Sequence, residues 1–595
     1  GGLCFINANS VQKSINFNEN KVDSIKSLGS GGVLFLGALN DSCKVGEYLE
    51  FKGNTINYSE SKNLGGIIYS NANINDGIKI ESNNISEVLT ENSGAYYFND
   101  FSNSDEPIKY IYVKNENENI EPVSNISKNG NGGVFWIESN RDINQLEITG
   151  NNFNKVESVE GSGGGFFIEA PTVLDLKIDS NNIEKAIAGK NGGFICLNTD
   201  AIHSTEILSN NVTDTSGAVG FGGFACFSKC DLVDTFMFEN NTIDGLVYAQ
   251  NGGILFIGDI DTTQIPLFKG LSIKNNVMRA NSIVENNGGY FYLKGNVQED
   301  FAFFGNEFYG SADVTNYGGI LFWHNNYELT VPENNLPLES IFFQSNKIFK
   351  NNNRIKCKRG GFVYLDGVLN LNEIGFVDNS FDCDSIIYNE HEAEGSGGIV
   401  NIFGDNISID NVLFKNNNYS GIISGKSDFS KGGILNFNAN LNNNLTIMQD
   451  SLFGSASVGT GGAFNIENNS DAVITCKITQ SSFKELNTHK SNGALINLKS
   501  QNIDTLQFKG NVLNTFNTEG SSAVFVNSSN IDRILSEENK FTGSSKNNGG
   551  VYNISSFDES TSKINSVSSV RDTFENCHSK DGSGGAFYFN VDEID

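Results

Sequence analysis

In 595 residues the chain has two tryptophans, three methionines, five histidines and six prolines, and only 40 basic residues against 70 acidic ones. Each scarcity excludes something. A formal charge of −30 argues against a polyanionic partner, whether nucleic acid or an acidic membrane surface. Cations, basic partners and neutral glycans remain. No apolar run approaches the roughly 20 residues that span a bilayer, so no direct membrane insertion is expected in this segment. Gly1 opens no basic-then-apolar leader and there is no initiator Met, so the chain reads as an excised or processed part of a longer one. Cys-x-x-Cys, EF-hand and phosphate-loop patterns are missing, so no cofactor and no resident metal are expected. At most, the acidic turn 103–107 would hold calcium weakly.

Six prolines beside 64 glycines is an unusual balance for ordinary loops, and the glycines are not scattered. A Gly-Gly pair or a close variant opens a short apolar run at nineteen places, from Gly1 through Gly31, Gly192, Gly222 and Gly461 to Gly584, about every 32 residues. Between these openings falls a second motif, an apolar residue, two others and Asn, as in FKGN (51–54), ILSN (207–210) and FQSN (343–346). No 3.6-residue apolar stripe lasts three turns, which leaves short strands punctuated by Gly and Asn. The pattern predicts an all-β fold, a right-handed parallel β-helix of about 18–19 coils averaging about 32 residues, continuous over 1–595 as one domain. The second and fourth residues after the glycine pair, such as Leu34 and Leu36 or Ile195 and Leu197, face inward by the period-two rule. The motif Asn is expected to stack on its counterpart in the next coil as an amide ladder.

This alternation of Gly-Gly-small/apolar with Phe-x-x-Asn resembles the repeats of chlamydial polymorphic outer membrane proteins, over nearly the whole chain from GGLCFIN at Gly1 to GGAFYFN at Gly584. The resemblance implies a pectin-lyase-like β-helix outside the cell, often an adhesin or surface structure. Two departures stand out: the residue after the glycine pair is often bulky (Ile67, Phe194, Tyr290, Phe362), and no stretch has the alternating strands of a membrane barrel. An autotransporter is therefore not expected.

Several residues are candidates for sites. The third position after the glycine pair should point outward, yet it is aromatic at Phe5, Phe35, Tyr69, Tyr97, Trp136, Phe167, Phe256, Tyr292, Phe322 and Tyr364, and becomes mainly Asn from Asn401 onward. A row of exposed rings would be a binding surface for a protein or glycan; covering loops of the same chain would remove that role. Cys196 and Cys226 interrupt the row one coil apart, and a disulfide is expected among Cys196, Cys226 and Cys230. Arg354, Lys356, Lys358 and Arg359 fall one coil before His391, Glu392 and Glu394. That juxtaposition suits either a lyase or hydrolase site or, as we favour, charge pairing between stacked turns. Asn198-Thr199-Asp200 and Arg354-Ile355-Lys356 match two polygalacturonase motifs, but 156 residues apart and without the other two. Twelve Asn-x-Ser/Thr sequons are no more than this composition gives by chance; Asn40, Asn57 and Asn418, on outward turns, are the expected acceptors if the chain is secreted, whereas Asn84 and Asn240 sit beside the ladder.

The combined reading is an extracellular or cell-surface structural rod, filament-forming or adhesive, glycosylated if secreted, and non-enzymatic. Its partners would be its own copies, head-to-tail or lateral, or another surface protein or glycan. The alternative is a carbohydrate-active enzyme or glycan-binding module, since this fold hosts both. The two differ in one structural respect: a passive rod does not gather charged side chains from three adjacent coils in one groove.

Overall fold

A computed structural model describes the chain except residues 1, 38–42, 101–105, 116–123, 231, 259–266, 326–338, 350–353, 383–384, 387–396, 422, 425–430, 455, 458–460, 489–491, 557–561 and 595. The described residues form a β-solenoid of about 16 turns of about 31 residues, without a helix. The larger expected number counts openings over the whole chain. Two compact units divide it, Gly1–Glu285 with Gly289–Val297, and Asn286–Gly288 with Gln298–Asp595.

One coil of the first unit illustrates how the sequence builds the turn. The glycine pair leads into Ile195–Asn198, a bend leads into Ala201–Leu208, and a second bend after Asn210 leads into Thr215–Ala218. Each strand pairs in parallel with its counterpart one coil on: Ile195 with Ala225, Leu208 with Glu239, Ser216 with Val247. The second unit repeats this with Phe464–Asn468, Val473–Thr479 and Ser482–Thr488. Alternation sends Ile195 and Leu197, and likewise Phe464 and Ile466, into a core where they are at most 1% exposed. The bulky residues after the glycine pairs go there too: Ile67, Phe194, Tyr290 and Phe362 are all 0% exposed, and Phe194 stacks on Phe224 at 5.4 Å. Each such side chain contributes roughly 1.5–3 kcal/mol by leaving water.

The bend after the second strand is held by the amide ladder. In the first unit it runs Asn151, Asn181, Asn210, Asn241, Asn276, each one's backbone N–H and Nδ2 donating to the next one's Oδ1 at 2.8–3.1 Å. Each Nδ2 also donates to a main-chain carbonyl of the preceding coil, Asn210 to Ile178 at 3.0 Å and Asn241 to Ile207 at 2.8 Å. In the second unit the rungs are Asn306, Asn346, Asn379, Asn417, Asp450, Ser481, Asn511, Asn539 and Asp572. Three of these are not asparagine and were invisible to the motif. The residue before each rung adopts positive φ, whether glycine, as Gly150 and Gly305, or not, as Ser209 (54°), Ser345 (56°) and Gln449 (59°).

A second clamp is buried in the first unit. Arg141, 3% exposed, pairs with the Asp100 carboxylate and donates to the carbonyls of Glu106 (3.1 Å) and Ile74 (2.8 Å). One guanidinium thereby ties together main chain from successive coils.

Two substitutions test the ladder. Asn210→Ala removes the acceptor shared by the Asn181 backbone N–H and one Nδ2 hydrogen and should cost about 3 kcal/mol in urea unfolding. Ser209→Gly, one residue earlier, relieves a left-handed non-glycine residue and should raise stability by about 0.5–1 kcal/mol; a loss at Ser209→Gly would contradict the geometry.

Candidate functional site

The aromatic row is in register, Phe5 over Phe35, Phe35 over Tyr69, Tyr69 over Tyr97, and Tyr97 over Trp136. Ring centroids stand 4.6, 4.9, 5.5 and 5.2 Å apart. Phe322 over Tyr364 repeats the stack in the second unit at 5.3 Å. Of the two alternatives, an exposed binding stripe or a row covered by its own chain, burial favours the second. Phe5 is 53% exposed, but Tyr97, Phe167, Phe256, Phe322 and Tyr364 lie between 2 and 7%, and Phe35, Tyr69, Trp136 and Tyr292 are half-buried.

The cover is the glycine turn itself. Its first glycine has φ near +65° and folds back over the row: a Cβ on Gly318 would stand 2.8 Å from the Cβ of Phe322. The residue before the pair adds its side chain, Phe221 on Phe256 at 4.7 Å and Tyr317 on Tyr364 at 4.8 Å. The row is thus an outer minor core, centred on Phe167, Cys196, Cys226 and Phe256.

No disulfide joins Cys196, Cys226 and Cys230, which corrects the expectation of one. Cys196 and Cys226 are register partners, but parallel strands aim both thiols the same way, so the torsion a disulfide needs is not reached. Burial in the minor core pushes the Cys226 thiol well above its usual range.

The proposed charge cluster is only partly in view. His391, Glu392, Glu394 and the Arg354 side chain lie outside the described residues, as does the acceptor Asn40. The neighbouring cations are engaged by the preceding coil, Lys356 with Asp313 at 3.3 Å and Lys358 with the Asn316 Oδ1 at 2.9 Å. Thr199 of the Asn-Thr-Asp stretch closes a bend by donating to the Pro171 carbonyl at 2.9 Å. Asn57 and Asn418 are exposed, and the Asn57 amide already donates to Asp23 at 2.8 Å.

Two polar clusters escaped the sequence reading. Glu138 and Glu169 are register partners on successive coils. Burial raises the Glu138 carboxyl above the usual range, the Tyr97 hydroxyl at 3.0 Å opposes this, and the Glu169 charge adds to it. A raised acid beside a second carboxylate is the raw material of glycoside hydrolysis, but Tyr97, 5% exposed, occupies the near side of the pair.

The second cluster is a shallow groove of about 280 Å³ in the second unit, with polar walls of Asn502, Asp504, Asn530, Asp532, Lys563 and Asn565 over a floor of Ile503 and Ile531. Asp504, Asp532 and Lys563 come from three successive coils, the arrangement a passive rod was expected to lack. Arg533 bridges the two carboxylates at 3.4 and 3.3 Å, Asn565 donates to Asp532 at 2.8 Å and Asn530 to Asn502 at 3.0 Å. Nothing in the sequence flags this groove, because its members are single residues about 30 positions apart. Its chemistry suits hydrogen bonding to hydroxyls: amides, carboxylates and an ammonium above an apolar floor.

Burial of the row makes a direct prediction. Phe256→Ala should destabilise the chain by about 3 kcal/mol in urea unfolding, whereas truncating a solvent-facing ring would change stability by less than about 0.5 kcal/mol. No protein-family model, curated protein or solved structure matches the chain.

Proposed function

We propose that this chain is an extracellular structural solenoid, a surface or filament-forming scaffold that holds partners by its outer face and catalyses no reaction. The observation that carries this reading is where the repeated polar chemistry goes. The Asn of the Phe-x-x-Asn motif, which recurs coil after coil, is turned inward and used to hold the next coil, as from Asn151 to Asn276. Several exposed charges also pair between coils, Lys347 with Glu307 at 3.1 Å and Lys509 with Glu537 at 2.8 Å. Such surface pairs add little stability each, and they occupy cations that a substrate site would need free. The finer identity, a pectin-lyase-like relative of the polymorphic outer membrane proteins that associates with its own copies or with another surface protein or glycan, rests on the repeat motifs alone. The net charge of −30 favours basic or neutral partners.

The groove at Asp504 and Asp532 favours a second reading, a glycan-binding module, through its three-coil convergence of polar groups. A paired experiment separates them. Antibodies to the chain should label intact source cells, and labelling only after permeabilisation would sink the extracellular reading. On a glycan array the scaffold reading expects no saccharide retained through the groove. Specific retention that disappears in Asp532→Ala with Asn565→Ala would install the second reading instead.

A further inference from the structure

Asp450 stands in the ladder between Asn417 and Ser481 and is 1% exposed. Its Oδ1 does what an asparagine Oδ1 does, accepting the Asn417 backbone N–H at 2.8 Å and Nδ2 at 3.1 Å. The second side-chain atom is the difference. In the neighbouring asparagine rungs Nδ2 donates to the carbonyl of the residue three positions before the preceding rung. Asn379 reaches Phe343 at 2.8 Å, Asn417 reaches Phe376 at 2.8 Å, Asn511 reaches Ile478 at 2.7 Å and Asn539 reaches Phe508 at 3.0 Å. For Asp450 the corresponding carbonyl is that of Phe414, and the atom in the Nδ2 place is Oδ2, buried without a hydrogen-bond partner. A carboxylate oxygen aimed at a carbonyl oxygen is repulsive, and a carboxylic acid there is a donor.

We propose that Asp450 is a protonated rung: the acid O–H on Oδ2 donates to the Phe414 carbonyl as an asparagine amide would, and losing that proton to solvent opens the ladder at this coil. The groups around Asp450 fit a neutral side chain. Asn417 lies on one side. On the other, the Ser481 Oγ accepts the Asp450 backbone N–H at 3.2 Å and donates to the Thr479 carbonyl at 2.9 Å. Two residues beyond Asn417, in register with Leu452, is Tyr419, whose buried hydroxyl has no partner and whose ionisation is pushed up by burial and then by the Asp450 charge. No ion pair reaches Asp450 among the described residues. The last rung, Asp572, differs in one atom: its Oδ2 accepts the Ser569 hydroxyl at 2.7 Å, so it has the donor that Asp450 lacks.

Burial holds the Asp450 carboxyl up at about 7, against the opposing Asn417 hydrogen bonds, while in the unfolded chain it titrates near about 3.9. Between those values the folded state keeps a proton that the unfolded state has released. Stability from this group is therefore full below about pH 4, falls about tenfold in the folding constant per pH unit, and levels off above about pH 7. The coil acts as an acid-tightened, neutral-loosened point in the solenoid.

The test compares the full chain with Asp450→Asn, whose amide supplies the missing donor at every pH. The variant should be the more stable protein at pH 8 in urea unfolding, and its advantage should shrink by up to about a hundredfold in folding constant on going to pH 5. A pH-independent gap, or a variant weaker at pH 8, overturns the proposal. Infrared titration of the unmodified chain decides it even if the variant does not fold. An un-ionised carboxylic acid band should persist at pH 6 and disappear just above neutrality, and its absence at pH 6 overturns the protonated rung.

Discussion

Every coil must bend after its second strand, and the bend places a main-chain N–H where neither a strand partner nor water can take it. The ladder exists because that donor needs an acceptor. The residue before each rung turns into the left-handed region, which points the rung's N–H along the stack, and the Oδ1 of the next coil is the acceptor that meets it. A coil is therefore incomplete until its neighbour is in place. Within each unit this makes stability a matter of nearest-neighbour contacts, with no coil able to hold its bend alone. It also fixes register, since sliding one strand by a residue would put an apolar side chain where the acceptor must be.

Register in turn creates the columns of like side chains. Phe194 meets Phe224, and Phe376 meets Phe414, at about 5 Å because the rungs have already aligned their coils. The minor core outside the first strand follows from the same alignment plus one local concession. The first glycine of each pair adopts a conformation that costs about 1–2 kcal/mol in any residue with a Cβ, and a Cβ there would also strike backbone. In exchange, the turn folds over a ring such as Phe256, whose burial returns roughly 2–3 kcal/mol. The glycine pair is thus the feature that turns an outward-pointing ring into a buried one.

These relations decide what the sequence could reveal. The Phe-x-x-Asn and Gly-Gly motifs were legible because they recur as residue types at a fixed offset. The fold class and the asparagine rungs follow from them. Asp450, Ser481 and Asp572 were not legible as rungs, because the ladder first requires an acceptor oxygen, and several side chains supply one. Which of its two readings the row would take was not legible for a different reason. Alternation correctly sends Tyr97 and Phe256 away from the main core, but it cannot say that the glycine turns fold back over them. The groove at Asp504, Asp532 and Lys563 depends on which positions three separate coils bring level, and only register reveals that.

The weakest stretch of the ladder has a counterpart elsewhere in the same coils. Asp450 and Ser481 are consecutive rungs without an amide, so two successive steps lose the Nδ2 bond that every asparagine rung adds. In those same two coils the outer row is no longer aromatic: Asn436 and Asn465 occupy it, flanked by Asn401 and Asn497. Their amides form a second ladder, Asn436 to Asn401 at 2.8 Å, Asn465 to Asn436 at 2.9 Å and Asn497 to Asn465 at 2.8 Å. The four are at most 9% exposed, so each bond is made where an unmade one would cost about 1–3 kcal/mol. The second ladder thus begins one coil before the deficient rungs and ends one coil after them. Amide bonding between coils is in this way kept continuous across a stretch where the inner ladder has exchanged amides for an acid and a hydroxyl, and register there does not depend on the protonation of Asp450 alone.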